Sequence, residues 1–157
     1  MEIFSKNWVF VDQQLFLGGP VMTMDAKGRL AVPSKHLPAL HELCGGKLTI
    51  CKHADGCLWL FPQPVWGRYL VEVDTWDGEH DAWKRFIMGS ANPLEIDSGG
   101  RLLVPPELRE WAQLERDVIF MGVGHTFELW DKATYDAREV SVRAAGRPAA
   151  VRKVVPR

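Results

Sequence analysis

The 157-residue chain contains no run of 18 or more apolar residues, the length that marks a membrane-spanning helix. Its first residues, MEIFSKNWVFVDQQ, lack a basic start, a continuous apolar stretch and a small-residue cleavage site, so a cytoplasmic protein without a membrane partner is expected. Cysteine is scarce. Cys44, Cys51 and Cys57 are an odd number within fourteen positions, which does not suit a paired disulfide framework and fits reduced thiols. G-x-S-x-G, H-E-x-x-H and phosphate-cradling glycine loops are all missing, so no enzyme, cofactor or small-molecule substrate is expected. An excess of charge of one sign is missing as well. Lys and Arg number 19 against 20 Asp and Glu, a net charge of −1, which excludes a uniformly basic surface for polyanions.

What the chain does contain is a repeat. Residues 25–33 read DAKGRLAVP and residues 97–105 read DSGGRLLVP, identical at six of nine positions with an offset of 72. KLTIC at 47–51 matches DVIFM at 117–121, and CLWLF at 57–61 matches TFELW at 126–130. Apolar residues at period two flank each motif, Met22, Met24, Leu30 and Val32 in the first and Leu94, Ile96, Leu102 and Val104 in the second. That pattern predicts a β-hairpin with D-x-x-G at its turn. Gly28 and Gly100 supply a positive φ, and Asp25 and Asp97 accept turn N–H groups. The turn does not require the arginine that follows each glycine, so Arg29 and Arg101 are left over for function.

Each unit is read as strand, turn, strand, short helix, strand, strand. A helix is expected after Pro105, with Leu108, Trp111, Ala112 and Leu114 on one face. In the first unit Pro38 interrupts SKHLPALHEL, so a shortened or kinked turn is expected there. Four short strands make a thin core, so the two copies are expected to share one, as a pseudo-two-fold barrel. Between them, Val65, Trp66, Tyr69, Leu70, Val73 and Trp76 recur at helical spacing. Asp77-Gly78 breaks the run, and Trp83, Phe86, Ile87 and Met88 resume it. This predicts a helical hairpin whose tryptophans lie across the barrel or against another subunit, which points to a homo-oligomer. The expected organisation is an N-terminal extension (1–17), repeat 1 (18–63), the helical connector (64–91), repeat 2 (92–135) and a basic tail (136–157).

Divided along the chain, the charge is uneven: +1 over 1–62, −3 over 63–96, −4 over 97–136 and +5 over 137–157. The composition of the tail suggests a mobile, solvated segment, with auxiliary phosphate contact as the sharper alternative.

The paired Asp25-x-x-Gly28-Arg29 and Asp97-x-x-Gly100-Arg101 motifs, each running into Leu-x-Val-Pro, resemble the MraZ transcriptional regulators, which are tandem SpoVT-AbrB domains. LFLGG at 15–19, CLWLFP at 57–62, RFIMGSA at 85–91 and FELWD at 127–131 extend the likeness over about residues 15–135. The resemblance implies an α+β, mainly β fold of two AbrB-like swapped-hairpin repeats and a ring-shaped homo-oligomer. It also implies sequence-specific binding to direct repeats in promoter DNA, at the nucleoid. The genes it implies are the cell division and cell wall cluster, the protein's own gene included. By motif position the DNA contacts would be Lys27, Arg29 and Arg101. Gly99 stands where the first loop has Lys27, so the first loop should bind more strongly. Leu17 stands where the family usually has Arg.

Three other readings compete with this one. His41, Cys44, Cys51, His53 and Cys57 crowd one stretch, but no C-x-x-C pair accompanies them and Cys57 reads as a small core residue, so no metal is expected. AbrB-like antitoxins share the fold, yet usually carry one motif and an acidic, apolar tail. In the last, each arginine merely pairs with an acidic neighbour across the barrel, which is less natural for two at matched loop positions.

Overall fold

A computed structural model describes residues 15–152. Residues 1–14 and 153–157, which include most of the expected N-terminal extension and the end of the basic tail, lie outside the described residues. The strands are β1 (Phe16–Gly18), β2 (Val21–Thr23), β3 (Arg29–Ala31), β4 (Lys47–Lys52), β5 (Leu58–Pro62), β6 (Asn92–Glu95), β7 (Arg101–Leu103), β8 (Asp117–Gly124) and β9 (Phe127–Asp131). The helices are α1 (Leu37–Cys44), α2 (Gln63–Asp74), α3 (Asp81–Ser90), α4 (Pro106–Trp111), α5 (Lys132–Ala145) and α6 (Ala149–Arg152). Each repeat therefore runs strand, turn, strand, short helix, strand, strand, as its apolar spacing predicts.

The hairpins are exchanged between the repeats. β2 of the first repeat pairs with β8 of the second, and β6 of the second pairs with β4 of the first. The registers match: Val21, Met22 and Thr23 oppose Ile119, Val118 and Asp117, while Pro93, Leu94 and Glu95 oppose Thr49, Leu48 and Lys47. β5 and β9 meet in the middle, with Trp59 opposite Glu128. Neither repeat completes its own sheet, which is why about 45 residues suffice only as half of a fold.

The expected barrel does not close. The strands make an open sheet in the order β1-β8-β9-β5-β4-β6, with β2 also on β8, and a separate two-stranded ribbon, β3-β7. Each ribbon strand has three residues between a D-x-x-G turn and a proline, Pro33 or Pro105. Proline cannot donate to a ladder, so the ribbon stays short instead of joining the sheet. It is held over the sheet by its inner side chains. Leu30 and Leu102 are fully buried in one core with Leu48, Ile50, Leu58, Leu60, Phe120, Phe127 and Leu129. Removing a leucine-sized side chain from such a site costs about 2–5 kcal/mol.

Pro38 does not interrupt the first helix. A 3-10 turn over Ser34–His36 precedes α1, and Pro38 falls in the first turn of that helix, where its missing N–H costs nothing. α1 is in consequence longer than α4, with eight residues against six. The connector forms two helices, α2 and α3, broken at Asp77 as the sequence suggests. They cover the outer face of the sheet, where Val65, Trp66, Val73 and Ile87 are buried with Cys51 and Phe61. β4 is consequently buried on both faces, whereas Trp83 of α3 remains 50% exposed. The basic tail is not an irregular segment through residue 152. Asp131 caps α5 by accepting from Thr134 N, and Arg138 of that helix pairs with Asp55 at 3.2 Å. α5 buries none of its residues, which explains why its composition gave no core signal.

Candidate nucleic-acid interface

The two loops are built alike. In the first, Asp25 Oδ1 accepts from the backbone N–H groups of Lys27 at 3.0 Å and Arg29 at 2.9 Å, and Gly28 N–H donates to Asp25 O at 3.0 Å. In the second, Asp97 Oδ1 accepts from Gly99 N–H at 2.8 Å and Arg101 N–H at 2.9 Å, and Gly100 N–H donates to Asp97 O at 3.0 Å. Gly28 and Gly100 have φ of +89° and +75°, a region that side chains with a Cβ rarely occupy. Backbone hydrogen bonds from Arg29 and Arg101, first among the causes, hold the carboxyls of Asp25 and Asp97 below the usual carboxylate range.

The same aspartates aim the arginines. Arg29 Nε donates to Asp25 Oδ2 at 2.7 Å, and Arg101 Nε lies 3.6 Å from Asp97 Oδ2. Each arginine thus has an acidic partner, but within its own turn and through Nε. This contact fixes the guanidinium at Nε. Both side chains are about two-fifths exposed, 39% for Arg29 and 42% for Arg101.

The ribbon then brings the two loops together. Arg29 opposes Leu103 and Arg101 opposes Ala31, so all four share the outward face while Leu30 and Leu102 point into the core. Val32 N–H donates to Gly100 O, and Val104 N–H donates to Gly28 O, both at 2.9 Å, so each loop is anchored by the other repeat. Lys27 is exposed at the tip of the first loop.

One basic residue beside this site was not anticipated. Arg109 of α4 packs on the first loop, so closely that a Cβ on Gly28 would stand 2.7 Å from its Nε, which donates to Val104 O at 3.1 Å. At the matching place beside Gly100 lies Leu37. Read as one polar position of a short helix, Arg109 carried no signal; comparing it with Leu37 at the repeat offset of 72 would have exposed the difference. The first loop thus has Lys27, Arg29 and Arg109 about it and the second has Arg101. Among the described residues no helix is long and apolar enough to cross a membrane.

The model of the MraZ protein family, whose description also carries the words "antitoxin-like", matches residues 15–86 and again 87–150. The chain belongs to the MraZ family. Relatives in the family include the transcriptional regulator MraZ of Ralstonia pickettii (strain 12J), 46% identical over 138 residues, which covers 88% of this chain and 97% of the relative. The transcriptional regulator MraZ of Acidovorax sp. (strain JS42) is 46% identical over 134 residues, covering 85% and 94%. The two family matches divide the chain within the connector, so each contains one D-x-x-G-R loop.

Proposed function

We propose that the protein is a sequence-specific DNA-binding transcriptional regulator that presents the outward face of the β3-β7 ribbon to promoter DNA. The observation that carries this reading is the placement of Arg29 and Arg101 as diagonal neighbours on one exposed face. Diagonal residues across an antiparallel pair stand roughly 7–8 Å apart, about two base steps at ~3.4 Å each. A two-stranded ribbon fits the major groove, where arginine reads guanine O6 and N7 with its planar fork. Lys27 and Arg109 supply phosphate contacts at the first loop, and Leu103, 58% exposed on the same face, offers a contact to a thymine methyl.

So few basic residues per chain give useful affinity only when multiplied. A homo-oligomeric ring that sets several ribbons on successive direct repeats makes later contacts intramolecular, which raises avidity by about 10²–10⁴. The apolar residues left exposed, Trp83 and Val71 on the connector and Val140 and Val142 on α5, supply surface for such assembly. The family resemblance extends the reading to a nucleoid-associated regulator of a cell division and cell wall gene cluster that includes its own gene. Fluorescence anisotropy with the DNA upstream of that gene, beside a mass measurement of the oligomer, tests it. Wild-type protein binds there in preference to a scrambled duplex, and Arg29→Ala loses that preference with its oligomer intact. Equal binding to both duplexes by the wild-type protein would refute the proposal.

A further inference from the structure

The histidines and cysteines crowded between positions 41 and 57 do not all converge. His41 and Cys44 lie on α1, where Cys44 Sγ donates to Leu40 O at 3.1 Å, and Cys51 faces the connector. The fold instead sets His53 and Cys57 beside Glu128 of the second repeat, with one ligand atom from each all within 4.8 Å of one another. No signal in the sequence joins Glu128 to the other two, so an expectation of no metal formed from the sequence could not include it.

The arrangement is that of a zinc-type hairpin with a third ligand. His53 N–H donates to Cys57 O at 3.0 Å across the β4-β5 turn, so the two side chains leave neighbouring backbone positions at an H-x3-C spacing. Glu128 arrives on β9, next to β5. Trp130 Nε1 donates to Glu128 Oε1 at 2.9 Å and so holds the other oxygen toward His53, with Oε2 3.5 Å from Nε2. Two ligands about 2.1 Å from a tetrahedral ion stand about 3.4 Å apart, which this pair already satisfies. The imidazole is oriented from the other side by the Asp55 backbone N–H, which donates to His53 Nδ1 at 3.0 Å, with Asp55 Oδ2 3.9 Å from the same nitrogen.

The repeat provides an internal comparison. At the matching hairpin of the second repeat, Val123 N–H donates to Thr126 O at 2.9 Å, so Val123 and Thr126 stand where His53 and Cys57 stand, and Trp59 takes the place of Glu128. That set is closed by one neutral hydrogen bond, Trp59 Nε1 to Thr126 Oγ1 at 2.9 Å. The fold therefore fills these three matching positions without His, Cys or Glu, and that set at one copy alone is not a requirement of packing.

We propose that His53, Cys57 and Glu128 bind a divalent transition ion of the zinc class, which ties the β4-β5 hairpin of the first repeat to β9 of the second. On binding, the Cys57 S–H bond gives way to an S–metal bond and the thiol proton leaves to solvent. The Asp55 N–H to Nδ1 hydrogen bond is given up, the ring proton of His53 passes from Nε2 to Nδ1, and Nε2 and a Glu128 oxygen complete the protein ligands. No electrons are transferred.

Titration of the full chain with Co²⁺, read by absorption, and with Zn²⁺, read by native mass spectrometry and thermal melting, tests the site. The expected result is one ion per chain, a thiolate-to-cobalt charge-transfer band and a melting temperature raised by Zn²⁺. His53→Gln and Glu128→Gln, both at partly exposed positions, should weaken binding at least tenfold, and Cys57→Ala should abolish the band, while Cys44→Ala and Cys51→Ala retain it. If Cys57→Ala does not fold, the two glutamine variants decide. Absence of the band in wild-type protein, its loss with Cys44 or Cys51, or unchanged affinity in both glutamine variants would overturn the assignment.

Discussion

Arg29 and Arg101, 72 positions apart in the chain, are diagonal neighbours on the outward face of a ribbon only three residues long, each held at Nε by the aspartate of its own turn. That placement gives the molecule two aimed cationic forks at no cost in net charge. It also makes the two loops comparable experiments.

Arg29→Ala should lower affinity for the operator by at least tenfold, in keeping with about 1–3 kcal/mol for a bidentate base contact, and relax the preference for guanine there. Arg101→Ala should cost less, because its carboxylate partner lies 3.6 Å away against 2.7 Å in the first loop and holds it less firmly. Anisotropy titrations with unchanged circular dichroism would check both.

Arg109→Leu copies Leu37 into the first loop. Binding should weaken almost uniformly across sequences, and the salt slope should fall by about 0.9 for each phosphate that each bound subunit no longer neutralises. Affinity measured at several salt concentrations is the readout. A change in base preference instead would make Arg109 a reader of bases.

The two turn glycines should not tolerate alanine equally. At Gly28 a Cβ meets Arg109 Nε at 2.7 Å and the backbone oxygen of Val104 at 3.0 Å, whereas at Gly100 it meets the movable Leu37 Cδ1 at 3.2 Å. Both substitutions strain a positive φ, worth of order 1–3 kcal/mol. Gly28→Ala should therefore be the more destabilising in denaturant unfolding, and the only one of the two to displace Arg109.

His36 is buried against Phe16 and Phe127, and burial, with the Lys35 charge second, holds its pKa below the ordinary histidine value of 6.5. The folded state thus resists the proton that the unfolded chain accepts. Stability should be unaffected by this group above about pH 6.5 and should fall as the pH drops below it. The matching residue of the second repeat is Leu108. His36→Leu should flatten the acid side of the melting profile between pH 6.5 and the carboxylate range; an unchanged profile would assign that loss to other groups.

Removing residues 147–157 deletes Arg147, Arg152, Lys153 and Arg157. The salt slope of DNA binding should become shallower while the order of preferred sequences stays the same. Leaving α5 whole keeps the Arg138 to Asp55 pair, so the melting temperature should not move.

The repeat, the order of elements, the D-x-x-G turns and the two surplus arginines were legible because each is local. Period-two apolar residues, a glycine that needs positive φ and an aspartate that caps its own turn interact within nine positions. Pairing across the chain is not local. The same alternation serves a closed barrel or an open sheet with a ribbon, and only the short strands ending at Pro33 and Pro105 made the second form. Pro38 looked like a break because its place depended on where the helix began, and the tail looked irregular because α5 buries nothing. Tertiary structure alone brought Arg109 to Gly28 and Glu128 to His53 and Cys57, since contacts that span the repeats are decided by which strands exchange partners, a choice that no single stretch of sequence records.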